Sequence, residues 1–141
     1  MTDNRQAMNA SLKNTVVPVL RRLGFKGSFP NFYRASDNHV DLLAFQFNLG
    51  GGSFVVELSY AEPDRQNVYF EKETQAGKLR VSQTSNRLRL GAQGPDSDNW
   101  FSFEPTGLFK RQPNYDQISA KVADLIERQA LPWWQQKRLP H

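Results

Sequence analysis

The sequence predicts an α+β domain, an antiparallel sheet of about five strands packed against N-terminal and C-terminal helices. Three observations carry that prediction. HVDLLAFQFN from His39 and SFVVELSY ending at Tyr60 flank Leu49-Gly50-Gly51-Gly52, and alternation on both sides of a glycine turn specifies a β-hairpin. Upstream, Leu12, Val16, Val19, Leu20 and Leu23 recur at helical spacing. Downstream, Tyr115, Ile118, Val122, Leu125 and Ile126 make the cleanest helical stripe in the chain.

In the first helix Lys13, Arg21 and Arg22 fall off the apolar stripe, so one face is expected to lie on the sheet, and Gly24 ends the segment. Pro18 removes a backbone donor and crowds the carbonyl four residues earlier, which predicts a kink or a helix start near Val17. Residues 1–10 are expected to be a flexible N-terminus. A strand over Asn31 to Ala35, the turn residues Ser36-Asp37-Asn38 and a strand from His39 make a first hairpin.

In the His39 strand Leu43, Phe45, Phe47 and Leu49 share one face, matched across the glycine turn by Phe54, Val56, Leu58 and Tyr60. The opposite face carries Leu42, Ala44, Gln46 and Asn48, then Val55, Glu57 and Ser59. Ala61 to Thr74 reads as a long loop, with or without one short strand. KLRVSQ and NRLRLG alternate Leu79, Val81, Leu88 and Leu90 with Lys78, Arg80, Arg87 and Arg89, the pattern of one or two strands with a basic outer face. Gly94-Pro95-Asp96-Ser97-Asp98 is a turn, and Trp100 to Phe103 the last strand. Asn114 caps the final helix with Gln117 at capping-box spacing. Pro132 is expected to stop it, leaving residues 132–141 as an aromatic and basic tail whose indoles cover core or a sheet edge.

The 141 residues fit one domain, 1–141, and 38% apolar content with ten Phe, four Tyr and three Trp supplies a single core. Charged residues of mixed sign and dense aromatics argue against global disorder. A net charge of +4 is a modest basic excess that would attract nucleic acid, acidic protein or anionic lipid. The absence of cysteine excludes disulfides, thiolate nucleophiles and cysteine metal sites, and is compatible with a cytoplasmic location. The N-terminal MTDNRQAMNASLKN lacks the apolar core of a signal peptide, and no run approaches the roughly 18 to 20 apolar residues of a bilayer span. The expectation is therefore a soluble protein without a membrane partner.

Gly24-Phe25, Phe32-Tyr33-Arg34, Phe45-Gln46 followed by a second strand, and Trp100 ahead of a C-terminal amphipathic helix resemble, in order and spacing, the bacterial family known as domain of unknown function 4304. The likeness spans most of the chain. It implies a small α+β domain with helices against an antiparallel sheet, and no activity. Gly50-Gly51-Gly52 and Gly94-Pro95 match no pattern of that family.

Chemical motifs are few. The glycine triplet enters a strand through Ser53-Phe54-Val55, whereas a phosphate loop needs its lysine and hydroxyl at a helix start. His39 and His141 are the two imidazoles, too few for a multi-histidine metal site. Asp37, His39 and Asp41 fall on one face of an extended strand and could hold a hard cation, against the simpler reading of a polar strand end. No serine stands in Gly-x-Ser-x-Gly, and Glu57, Glu62 and Asp64 would be the carboxylates of any acid-base chemistry, with only Glu57 on a rigid strand.

Two groups remain as binding candidates. Lys78, Arg80, Arg87 and Arg89 would project from one sheet face and grip phosphates or carboxylates, or simply meet solvent. Tyr69, Trp100 and Phe101 are the aromatic residues that could approach them. Arg34, Gln46 and Glu57 would meet on the polar side of the first strands, either as a structural arginine–carboxylate pair satisfied by the glutamine or, unpaired in a groove and with Trp100, as a site that binds a ligand or partner. The resulting expectation is a non-enzymatic module that binds a protein or ligand through the sheet face or the aromatic tail, with anion or nucleic-acid binding as the alternative. No catalytic residue, metal or cofactor is expected.

Overall fold

The computed structural model describes residues 2–36, 39–62, 80–84, 86–109 and 111–138. Helix α1 spans Thr2–Arg22, so residues 2–10 are helical and not a flexible lead-in. Met8 explains the difference. It extends the stripe one turn back, and Met8, Leu12, Val16 and Leu20, each four residues on, are all fully buried. Pro18 sits inside the helix on its exposed side, where the carbonyl deprived of a partner can face water. Gly24, at φ +95°, ends the helix, with Gly24 N donating to Arg21 O and Phe25 N to Leu20 O.

Among the described residues the sheet has six antiparallel strands. β1 (Lys26–Ser28), β2 (Asn31–Ser36), β3 (His39–Phe47), β4 (Ser53–Ala61) and β5 (Arg87–Arg89) lie side by side in chain order, and β6 (Phe101–Ser102) pairs with the opening residues of β4. The β3–β4 hairpin has the expected register, with Phe45 opposite Val56 and Phe47 opposite Phe54. Asn48 N donates to Ser53 O and Gly51 N to Asn48 O, while Gly51 and Gly52 take the positive φ that the reversal requires. The end of KLRVSQ departs from expectation: Val81–Gln83 is a turn of 3₁₀ helix, while Leu79 lies outside the described residues. Val81 buries itself with Val40, Leu42 and Ala61 on the face of the sheet away from the helices, so that face carries a small apolar cluster of its own. The expectations for Lys78 and for most of the segment from Ala61 to Thr74 lie outside the described residues.

Asn114 Oδ1 accepts from Gln117 N at 3.0 Å and opens helix α2 (Tyr115–Leu125). The chain then continues, contrary to the expected stop at Pro132, through a π turn (Ile126–Ala130) into helix α3 (Leu131–Arg138). The wide turn, closed by Leu131 N donating to Ile126 O, loosens the backbone against which the ring of Pro132 would press. Val122, Ile126, Ala130 and Trp134 follow one another at four-residue intervals and are fully buried. They join α1 and the phenylalanines of β2, β3 and β4 in the main core. Among the described residues no helix is long and apolar enough to cross a membrane.

Candidate functional site

Strand pairing decides which polar side chains can meet. Arg34 stands opposite Asp41, and Asp41 opposite Tyr60, so the three form one row on the helix-covered face. The next row is Phe32, Leu43, Leu58 and Leu88, all buried, which places a charged cluster at the margin of an apolar core. Ala44 opposes Glu57, and Glu57 opposes Arg89, on the other face, where Gln46 is exposed. Arg34 therefore does not meet Gln46 and Glu57. The sheet separates them, because residues in direct register share a face whatever their polarity.

Asp41 is the centre of the first cluster. It is fully buried, and its Oδ2 accepts from Arg34 Nε at 3.0 Å, from the second Arg34 amine at 2.8 Å and from Arg138 of α3. Arg34 also donates to Leu23 O, which ties the end of α1 to β2, and its guanidinium lies over the rings of Phe25 and Trp134. Burial lowers the pKa of both arginines, and for Arg138 the charge of Arg34 adds to it. Trp134 Nε1 donates to Ser59 O at 2.8 Å, and Trp133 meets Tyr60 edge-on. The C-terminal aromatics are thus structural parts of the helix-sheet contact.

His39 occupies the same face two residues from Asp41. Its ring is stacked on Tyr60 with centroids 5.3 Å apart, and its Nδ1 lies 3.3 Å from Asp41 Oδ1. Neither ring nitrogen nor that oxygen has a hydrogen-bond partner among the described residues. Burial lowers the His39 pKa, Arg138 and Arg34 lower it further, and Glu62 opposes them. Asp41 and His39 do share a face, as the cation reading required, but Asp41 is committed to two guanidinium groups. Among the described residues no three metal-binding side chains converge. Asp37 lies outside the described residues.

The second cluster centres on Arg89. Its Nε donates to Glu57 Oε1 at 2.8 Å, its amine to Asp98, and its guanidinium lies 5.4 Å from the Trp100 ring centroid. Burial pulls the Arg89 pKa down, but the hydrogen bond and charge of Glu57, followed by Asp98, outweigh it and hold the value up. Arg87 is exposed and turns two of its five N–H donors to Thr84 O and Ser82 O. Glu57, Arg87, Arg89, Pro95, Asp96 and Asp98 line a cleft of about 350 Å³. The structure thus brings together Glu57, Arg87, Arg89 and Trp100 from the two sequence-derived groups. Arg34 and Gln46 lie elsewhere, Arg80 is exposed before the 3₁₀ turn, and Lys78 lies outside the described residues.

A third feature is apolar, and sequence reasoning passed over it. Thr106 and Arg111 exchange backbone hydrogen bonds and close a tight hairpin whose tip holds Gly107, at φ +83°, with Leu108 and Phe109. Leu108 is 90% and Phe109 88% exposed. The hairpin stands at the glycine-turn end of the sheet, because Phe103 N donates to Gly52 O just before it, and Leu49 in that turn is fully exposed too. The signal in the sequence was an apolar pair that belongs to neither the last strand nor the Asn114-capped helix.

Helices laid on one face of an antiparallel sheet, with a charged row at the core margin, define a small α+β domain. The chain belongs to the family described as Domain of unknown function (DUF4304), whose model matches residues 16–136. No curated protein and no solved structure matches it.

Proposed function

We propose that this chain is a non-enzymatic module that binds another protein, and that the hairpin tip at Leu108 and Phe109 makes the contact. The observation that carries the reading is the exposure of these two neighbours on a closed hairpin. Burying a side chain of either kind is worth about 1.5–3 kcal/mol, and the fold forgoes that gain at both positions. Leu49, at the same end of the sheet, is fully exposed as well, and exposed apolar surface commonly marks interaction sites.

The charged clusters support this choice over anion or nucleic-acid binding. Arg89 is matched by Glu57 and Asp98, and Arg34 and Arg138 by Asp41, so these guanidinium groups are already engaged. Arg87 is turned to backbone carbonyls. The test is photo-cross-linking in the producing cells, with a benzophenone amino acid at position 109 and, as control, at exposed position 22 at the far end of α1. A discrete protein adduct from position 109 and none from position 22 is expected. No adduct, or the same adducts from both positions, would reject the reading.

A further inference from the structure

The charges around the tip say what kind of surface would cover it. Arg111 closes the hairpin and is exposed, and Lys110 precedes it in the sequence. Arg5, near the start of α1, is exposed and lies with its guanidinium 4.6 Å from the Phe47 ring centroid, at the end of β3 that leads into the glycine turn. Tyr115 Oη donates to Asn4 Oδ1, which fixes the start of α1 beside the start of α2 at that same end. Among the described residues Arg5 and Arg111, like Arg21, Arg22 and Arg87, have no carboxylate within salt-bridge distance, whereas Arg34, Arg89, Arg128 and Arg138 do. Apolar Leu49, Leu108 and Phe109 therefore share this end of the sheet with two arginines that lack acidic partners among the described residues.

Resting on the protein-binding reading above, we infer that the partner presents an acidic, apolar segment: leucine- or phenylalanine-sized side chains that meet the tip, flanked by aspartate or glutamate facing Arg5 and Arg111. Charge complementarity of this kind chiefly selects the partner and speeds encounter, while the apolar contact holds it. An anionic bilayer offers the same two chemistries, but Glu104 stands at the same end beside Gly52. The net negative potential of such a bilayer surface would repel that carboxylate, whereas a protein can set a cation directly opposite it.

The experiment is selection from a random peptide display library on the immobilised full chain, with the Phe109→Ser chain as subtraction control. Enriched peptides are expected to carry net negative charge together with at least two large apolar residues. In the double variant Arg5→Glu/Arg111→Glu the same peptides should lose about tenfold or more in affinity, and the enriched pool should turn basic. Neutral or basic peptides from the unaltered chain, or no enrichment over the Phe109→Ser chain, would overturn the inference. Sedimentation with phosphatidylserine vesicles but not phosphatidylcholine vesicles, without peptide enrichment, would overturn it in favour of a membrane. A protein adduct from position 109 without acidic selectivity would leave the protein-binding reading standing and remove only this refinement.

Discussion

Arg138, in the last turn of α3, donates to Asp41 Oδ2 in the middle of the sheet, 97 residues away in sequence. Arg34 binds the same oxygen from the neighbouring strand. One buried carboxylate thus joins β2, β3 and the C-terminal helix.

Asp41→Asn leaves two guanidinium groups facing a neutral amide. Breaking a buried pair from one side costs roughly 3–5 kcal/mol. The arginines are 20% and 31% exposed in their side chains, so a loss at the lower end, about 3 kcal/mol, is expected in urea unfolding. Arg138→Met, which keeps much of the stem packing and leaves Arg34 in place, should cost about 1 kcal/mol. Equal stability of Asp41→Asn and the unaltered chain would show that the cluster does not hold the helix.

His39 supplies a pH dependence. Its folded-state pKa lies below the ordinary 6.5, through burial first and the charges of Arg138 and Arg34, with Glu62 opposing. The unfolded chain then binds more protons in that range, so stability rises with pH. The contribution is complete above 6.5 and is lost as the pH falls below it. Unfolding free energies measured between about pH 7 and about pH 5 should decline, and His39→Gln should flatten that decline. An unchanged slope in His39→Gln would assign the dependence to other groups.

At the second cluster the two carboxylates on Arg89 differ in surroundings. Glu57 is buried and Asp98 mostly exposed. Glu57→Gln is therefore expected to cost about 1–2 kcal/mol and Asp98→Asn no more than about 0.5 kcal/mol, because water screens the outer pair. The reverse order in thermal unfolding would place the weight of the interaction at the rim.

The hairpin tip should behave in the opposite way. Leu108→Ser with Phe109→Ser removes apolar surface that is almost wholly exposed, so stability should stay within about 0.5 kcal/mol of the unaltered chain. A loss of 2 kcal/mol or more would make the tip a hidden part of the core.

Much of the architecture was legible because periodicity and turn chemistry are local. The glycine turn, the β3–β4 register, the Asn114 cap and the Gly24 stop all follow from residues within a few positions of one another. Of the two outcomes expected at Pro18, the helix start near Val17 fails because Met8 to Leu20 pack as one buried stripe, and the stop at Pro132 fails because the π turn and buried Trp134 offset proline's local penalty. The candidate sites were less legible. The row of Arg34, Asp41 and Tyr60 needs the exact register of three strands, and Arg138 joins it only through the docking of a helix from the far end of the chain. Arg80, Arg87 and Arg89 looked like a basic face because the acids that answer Arg89 come from another strand and a turn.

A partner that covers Leu108 and Phe109 in the cell would shield them from reagents, and the absence of cysteine from the chain allows a direct measurement. Phe109→Cys and Arg22→Cys each introduce a single thiol, whose reaction rate with a permeant maleimide can be compared in the producing cells and in the purified protein. Labelling at position 109 is expected to be at least about tenfold slower in cells than in the purified chain, with position 22 unchanged. Equal rates at position 109 in both settings would contradict it.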